Sequence, residues 1–172
     1  LNYRPVVVSN GVLISSNYQI AIDGKTNVVQ NSFEMKKPMS SYLVMLAIGN
    51  FNKKSTISNS GIVLENYYIP DCEDKYEYTY KSSDAIFNFL EKEIGFNYPW
   101  KIYRQIPVRD FLYGGMENTT STIFAQDYFV DESGFNDRNY INVNAHELAH
   151  QWFGDVVTAK EGKHHWLQEG FA

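Results

Sequence analysis

The alternation of apolar and polar residues changes character near Gly61. Before that residue, short β-branched runs separated by turn-forming residues are typical of β-strands. Residues 6–8 and 12–14 flank Asn10-Gly11, a dipeptide that favours the positive φ angles of a tight turn. The first part of the chain is therefore predicted to open with a β-hairpin.

Two further features of this first part indicate strands. Residues 18–22 alternate apolar and polar side chains up to Asp23-Gly24, and an extended run resumes at Val28-Val29, which predicts a second hairpin. Residues 41–48 are mostly apolar and end at Gly49-Asn50, as a buried strand would.

After Gly61, strand and helix patterns are mixed. Residues 62–69, 102–108 and 119–125 read as strands. Apolar side chains at helical spacing predict a helix that ends at Gly95, and its core-facing residues are Tyr76, Tyr80, Phe87, Leu90 and Ile94. A second helix is predicted over 139–154, with Asp137 as its cap. The fold class is α+β, and residues 1–61 and 62–172 are expected to belong to different domains.

Composition narrows the function classes. The chain has 172 residues, of which 44% are hydrophobic, so it can bury a sizeable core. Its one cysteine, Cys72, excludes an internal disulfide framework and a multi-cysteine zinc site. A net charge of −5 disfavours nucleic acid as the main partner, and no apolar run is long enough to span a membrane. The compartment and the oligomeric state stay open.

The predicted helix over 139–154 carries a metal-binding pattern, His146-Glu147-Leu148-Ala149-His150. Two histidines four residues apart project from one helix face and can offer two nitrogen ligands to one metal ion. Glu147 lies beside these ligands, where it can accept a proton from a water whose pKa the metal lowers. The HExxH pattern therefore explains both a zinc site and a general base. The alternative is a pair of ordinary helix histidines.

A third ligand and a substrate-binding group have candidates elsewhere. Glu169 lies in Trp166-Leu167-Gln168-Glu169-Gly170, which reads as the opening of another helix that Trp166 and Leu167 would hold by burial. Glu117 follows Gly114-Gly115-Met116 and can approach a ligand closely, although a carboxylate of this kind is more often a surface residue.

The chain resembles the gluzincin aminopeptidases, the family of aminopeptidase N and leukotriene hydrolase. The resemblance rests on the HExxH pattern followed after eighteen residues by Glu169, and on Gly114-Gly115-Met116-Glu117-Asn118, which matches the family's GxMEN motif. It implies the end of an amino-terminal β-sheet domain followed by the first part of a thermolysin-like catalytic domain.

The resemblance also implies roles. His146, His150 and Glu169 would bind one zinc ion per chain, with Glu147 as the general base. Glu117 would bind the free α-ammonium group of a peptide substrate. The remaining residues of the GxMEN motif would contact the peptide, and they are Gly114, Gly115, Met116 and Asn118.

This sequence departs from the family pattern at some positions. Gln168 stands where the family usually has Asn, and His164-His165 replaces acidic or aromatic residues, either as a solvated turn or as adventitious metal ligands. The family's transition-state tyrosine would lie beyond Ala172, so the chain reads as an internal piece whose activity alone would be weak or absent. A thermolysin-type endopeptidase, a leukotriene-type epoxide hydrolase and an inert segment are the alternative functions.

Overall fold

The computed structural model describes residues 5–20 and 27–172. Within these ranges the strands are β1 (Val6–Ser9), β2 (Val12–Ile20), β3 (Asn27–Glu34), β4 (Leu46–Gly49), β5 (Asn52–Ile57), β6 (Val63–Tyr68), β7 (Ile102–Val108), β8 (Gly115–Met116) and β9 (Ser121–Ala125). The α-helices are α1 (Tyr76–Tyr80), α2 (Ser83–Ile94), α3 (Glu132–Phe135), α4 (Ile141–His150) and α5 (Trp166–Phe171). None of the helices in these ranges is long and apolar enough to cross a lipid bilayer.

The main sheet has five strands in the order β5-β6-β7-β9-β8. Its central strands β6, β7 and β9 are parallel, whereas β5 and β8 add antiparallel edges. Two smaller antiparallel pairs, β1 with β4 and β2 with β3, precede it along the chain. This mixture of helices and sheets agrees in outline with the predicted α+β class.

The tight hairpin predicted at Asn10-Gly11 is wrong, because β1 pairs with β4 and β2 pairs with β3. The Asn10 side chain is buried, and its amide donates to the carbonyl oxygens of Leu43 at 3.0 Å and Thr119 at 2.7 Å. Its own oxygen accepts from the Met45 N–H at 2.8 Å. Asn10 therefore ties three distant segments together, and Gly11, at φ 76°, turns the chain from one strand pair to the other.

The second predicted hairpin corresponds to β2 and β3, in which Tyr18 lies opposite Val29. The predicted turn at Asp23-Gly24 lies outside the described residues. The strand predicted over 41–48 is only partly correct. Residues Ser41–Leu43 form a 3₁₀ turn because the Leu43 N–H bonds back to the Ser40 carbonyl, and the strand begins at Leu46.

The helix predicted to end at Gly95 is interrupted and forms α1 and α2. Gly95 has φ 68° and ends α2, as predicted. The aromatic positions Tyr76, Tyr80 and Phe87 are buried, as their helical spacing indicated.

Helix α4 is anchored at both ends. At its start, the Tyr140 ring stacks on Phe124 in β9, with ring centroids 4.0 Å apart. Just beyond its end, the Trp152 indole donates to the Phe96 carbonyl at 2.8 Å. Asp137 does not cap the helix, because α4 begins at Ile141, and it is the side-chain oxygen of Asn139 that accepts from the Ile141 N–H at 3.2 Å. This local bond and packing against the core together fix the start of the helix.

Candidate metal centre and active-site cleft

A cleft of about 720 Å³ lies between α4, α5 and strand β8. It is lined by most of the residues that the sequence singled out. Those lining residues are Gly114, Gly115, Met116, Glu117, His146, Glu147, His150 and Glu169. Tyr42 and His165 also line the cleft, and sequence reasoning had assigned no role there to Tyr42.

Three side chains converge in this cleft. The Nε2 atoms of His146 and His150 are 3.1 Å apart. One carboxylate oxygen of Glu169, Oε2, lies 3.4 Å from the first nitrogen and 3.5 Å from the second. In the part of the chain that is described, this is the one cluster of three or more residues with metal-binding side chains whose atoms lie this close together.

The triangle has the dimensions of one face of a zinc coordination shell. Ligands about 2.0–2.1 Å from a tetrahedral zinc ion lie about 3.3–3.4 Å from one another. The three separations here fall around this value, and the two nitrogens and one oxygen are donors that zinc accepts. The residues therefore fit a zinc ion with a fourth position left for water.

The orientation of His150 follows from the way in which α4 ends. Helix carbonyls point towards the carboxyl end, so Phe153 could not reach back to His150 from a regular helix. The chain unwinds at Phe153, with ψ 73°, and at Gly154, with φ 154°. The His150 Nδ1–H can then donate to the Phe153 carbonyl at 3.0 Å. This bond leaves the Nε2 lone pair directed at the metal site.

Glu147 is buried beside this triangle, with only 5% of its surface exposed. Burial, together with the nearby carboxylates of Glu117 and Glu169, raises the pKa of Glu147 to about 8. A cation in the triangle would oppose this rise by stabilising the ionised form. The carboxylate thus lies where it can exchange a proton with a group in the cleft.

Strand β8 passes unusually close to Glu147. A Cβ atom built on Gly115 would lie 2.4 Å from Oε1 of Glu147, a separation that real structures do not tolerate. A Cβ on Gly114 would meet nothing nearer than 3.5 Å. The glycine that matters for close approach is therefore Gly115, whose missing side chain makes room for the carboxylate.

Glu117 is 6% exposed, so the surface-residue alternative is wrong for it. Its neighbour Asn118 does not line the cleft; instead its amide donates to the Leu43 carbonyl at 3.2 Å. Asn118 thereby joins the GxMEN segment to the same part of the chain that Asn10 contacts.

Gln151 is a buried residue that sequence reasoning missed. Its amide donates to the Glu117 carbonyl at 2.8 Å, and its oxygen accepts from the Thr120 N–H at 2.8 Å. Gln151 directly follows His150 in the sequence, but it is the structure that shows its polar side chain to be fully buried and therefore in need of partners.

Helix α5 is held differently from the prediction. Trp166 and Leu167 are exposed, at 64% and 39%, and do not anchor it. Gln168 is its buried residue, and its amide donates to the Tyr42 hydroxyl at 3.1 Å while its oxygen accepts from the Ala159 N–H at 2.8 Å. His164 is exposed in a turn.

Comparison with known proteins identifies a matching family and several relatives. Residues 78–172 match the Peptidase family M1 domain. The chain is 35% identical over 147 residues to glutamyl aminopeptidase of Bos taurus, and the match covers 83% of the chain and 15% of that protein. It is 30% identical over 173 residues to endoplasmic reticulum aminopeptidase 1 of Homo sapiens, and the match covers 98% of the chain and 18% of that protein. Aminopeptidase N of Haemonchus contortus is 30% identical over 169 residues, and the match covers 96% of the chain and 17% of that protein.

The helix-borne cluster and the cleft define a metallopeptidase-like site. The chain belongs to peptidase family M1. It spans less than a fifth of the length of these relatives.

Proposed function

We propose that the protein containing this chain is a zinc-dependent aminopeptidase that removes the first residue of peptides with a free amino terminus. The observation that carries the proposal is the ligand triangle of His146, His150 and Glu169, with a buried carboxylate, Glu147, beside it. The family relatives are named aminopeptidases, which favours the same activity.

His146, His150 and Glu169 would hold the zinc ion. When bound, zinc supplies a Lewis acid for the substrate carbonyl and lowers the pKa of water towards 7. The His150–Phe153 hydrogen bond keeps the imidazole aimed at the ion, and changes to such supporting bonds typically cost metal affinity.

Glu147 is the general base of the proposal. It accepts a proton from the attacking water and can return that proton to the departing amine nitrogen. Its burial keeps competing solvent away, and the space left by Gly115 lets its carboxylate lie against β8.

Glu117 and β8 position the peptide. The Glu117 carboxylate lines the cleft and offers a charge partner to an α-ammonium group. β8 is an edge strand of the five-stranded sheet, so its outer backbone groups can pair with an extended substrate. Together they would place the first peptide bond near the metal and Glu147.

The metal assignment is tested on the full-length protein by metal analysis and by peptidase assay. We expect about one zinc per chain, lost in His146→Ala and His150→Ala. Glu147→Gln should keep the zinc and lose about 10²–10⁴-fold in turnover. Glu93→Gln changes an exposed carboxylate 3.8 Å from Lys92 and is the matched control, which should keep both the zinc and the turnover of the wild type. Equal zinc retention in the histidine variants would disprove the ligand assignment.

The specificity for a free amino terminus is tested separately, by comparing free and N-acetylated substrates. Aminoacyl reporter substrates should be cleaved with a free amine and resisted when N-acetylated. Glu117→Gln should narrow that difference, because the amide lacks the charge that binds ammonium. Equal cleavage of free and blocked peptides by the wild-type protein would favour a thermolysin-type endopeptidase. Epoxide hydrolysis without peptide cleavage would favour the leukotriene-type reaction.

A further inference from the structure

The two oxygens of the Glu169 carboxylate face different partners. Oε2 faces the paired histidine nitrogens, at 3.4 Å and 3.5 Å. Oε1 lies 2.9 Å from Nε2 of His165. The carboxylate is thus divided between the metal site and a neighbouring imidazole.

This contact is built into one turn of the chain. His165 immediately precedes α5, and its carbonyl accepts the N–H groups of Gln168 at 2.9 Å and Glu169 at 3.2 Å. Residues four apart on a helix lie on the same face, so the two side chains meet without a distant segment having to place them. His165 also lines the cleft, with its side chain about half exposed.

A hydrogen bond to one carboxylate oxygen has a defined consequence for a metal ligand. It fixes the plane of the carboxylate, and it occupies the oxygen that could otherwise turn towards the ion as a second ligand. Glu169 is 44% exposed at its side chain, so water competes for both oxygens unless a donor is held in place. The His165 imidazole, whose Nε2 lies 2.9 Å from Oε1, is a donor group within reach of that oxygen.

We propose that His165 is a positioning residue that donates its Nε2–H to Oε1 of Glu169 and so holds Oε2 towards the metal as a single ligand oxygen. The assignment rests on the proposed zinc site. It needs only an N–H at Nε2 of the His165 ring. His165 is outside the converging ligand cluster, which contains His146, His150 and Glu169 within the described residues.

The test uses the full-length protein and three variants. His165→Leu removes the donor, His165→Gln keeps an amide donor, and His164→Leu changes the adjacent exposed histidine as a control. Zinc affinity is measured by competition with a chelator, and the metal geometry is followed through the visible absorption of the cobalt-substituted protein.

We expect His165→Leu to weaken zinc binding by about 10–100-fold. Its cobalt absorption should lose intensity, because a second oxygen of Glu169 joins the metal and raises the coordination number. Turnover should fall with little change in KM, since substrate contacts remain. His165→Gln should restore much of the affinity, and His164→Leu should match the wild type.

Three outcomes would overturn the assignment. A wild-type protein that binds no zinc would refute the proposed function together with it. Zinc binding by the wild type with unchanged affinity and spectrum in His165→Leu would refute the positioning role alone. Weaker binding in His165→Leu together with faster turnover would identify His165 as a fourth ligand that blocks the open position.

Discussion

The side-chain amide of Gln151 donates to the main-chain carbonyl of Glu117 at 2.8 Å, so the residue after the second metal-site histidine holds the proposed substrate-binding segment. The other end of the same amide accepts from Thr120, whose φ of 66° is unusual for a residue with a side chain. One buried side chain therefore fixes the position of the GxMEN segment relative to α4.

Gln151→Leu should test this link. Leucine has a similar volume but leaves the Thr120 N–H and the Glu117 carbonyl without their partner, at about 1–3 kcal/mol for each buried group left unsatisfied. Because the variant spares the ligands, we expect zinc to be retained while kcat/KM for peptides falls at least about tenfold. Denaturant unfolding, metal analysis and kinetics measure the three effects. Gln19→Leu, at an exposed position in β2, should change none of them, and unchanged peptide kinetics in Gln151→Leu would contradict the role of Gln151.

Gly115 and the exposed Gly162 form a matched pair for testing the position of Glu147. Gly115→Ala places a methyl group where the Glu147 carboxylate lies, and a flexible side chain will move before the backbone does. We expect turnover to fall by about 10²-fold or more, because the general base is displaced, while zinc content and the unfolding midpoint change little. Gly162→Ala is the control, because a Cβ there would meet nothing within 4 Å, and it should stay within about threefold of the wild type. Equal kinetics in the two variants would show that Glu147 does not act from its present position.

Much of the site could be predicted because its parts are local in sequence. The 3.6-residue helix period alone places His146 and His150 on one face, and the structure brings both to Glu169. The strands β6 and β7 and the end of α2 at Gly95 followed equally from local patterns. The roles of the site residues in binding zinc or substrate stay predictions, as does the domain boundary after residue 61.

The strand pairing around Asn10-Gly11 and the anchoring of α5 could not be predicted, because they depend on long-range contacts that no local pattern contains. Asn10-Gly11 has the composition of a hairpin turn, yet the partners of Asn10 at Leu43 and Thr119 are 33 and 109 residues away. Trp166 and Leu167 have the composition of an anchor, yet α5 is held through the polar side chain of Gln168. Hydrophobicity identifies residues that can be buried, but it does not identify the surface that covers them.

Gln168→Leu should loosen the helix that carries Glu169. The change removes the bond to the Tyr42 hydroxyl and leaves the Ala159 N–H without its acceptor. We expect zinc affinity to fall about tenfold, because the third ligand is less well placed. Tyr42→Phe removes only the hydroxyl and should have a smaller effect on zinc affinity. Chelator competition on the full-length protein measures the zinc affinity of both variants. A larger loss in Tyr42→Phe than in Gln168→Leu would show that Tyr42, and not Gln168, holds α5 in place.

Asp155 should make stability fall as pH rises. Its side chain is buried, neither oxygen makes a hydrogen bond of good geometry within the described residues, and burial raises its pKa to about 8. The Thr119 hydroxyl offsets part of this rise, and the charges of Glu117 and Glu147 add to it. The folded state therefore holds a proton that the unfolded state has released above its ordinary pKa of about 4. The resulting loss of stability grows from about pH 4 to about pH 8.

Asp155→Asn should remove this pH dependence, because the amide has nearly the shape of the protonated acid and carries no charge. In zinc-saturated full-length protein, we expect the variant to exceed the wild type in free energy of unfolding by at least about 1 kcal/mol at pH 8.5. The difference should shrink steadily towards pH 5. Asp137→Asn changes an exposed carboxylate and should follow the wild-type curve throughout. If urea unfolding instead gave parallel curves for Asp155→Asn and the wild type, Asp155 would have the same proton affinity in the folded and unfolded states, and burial would not be acting on its charge.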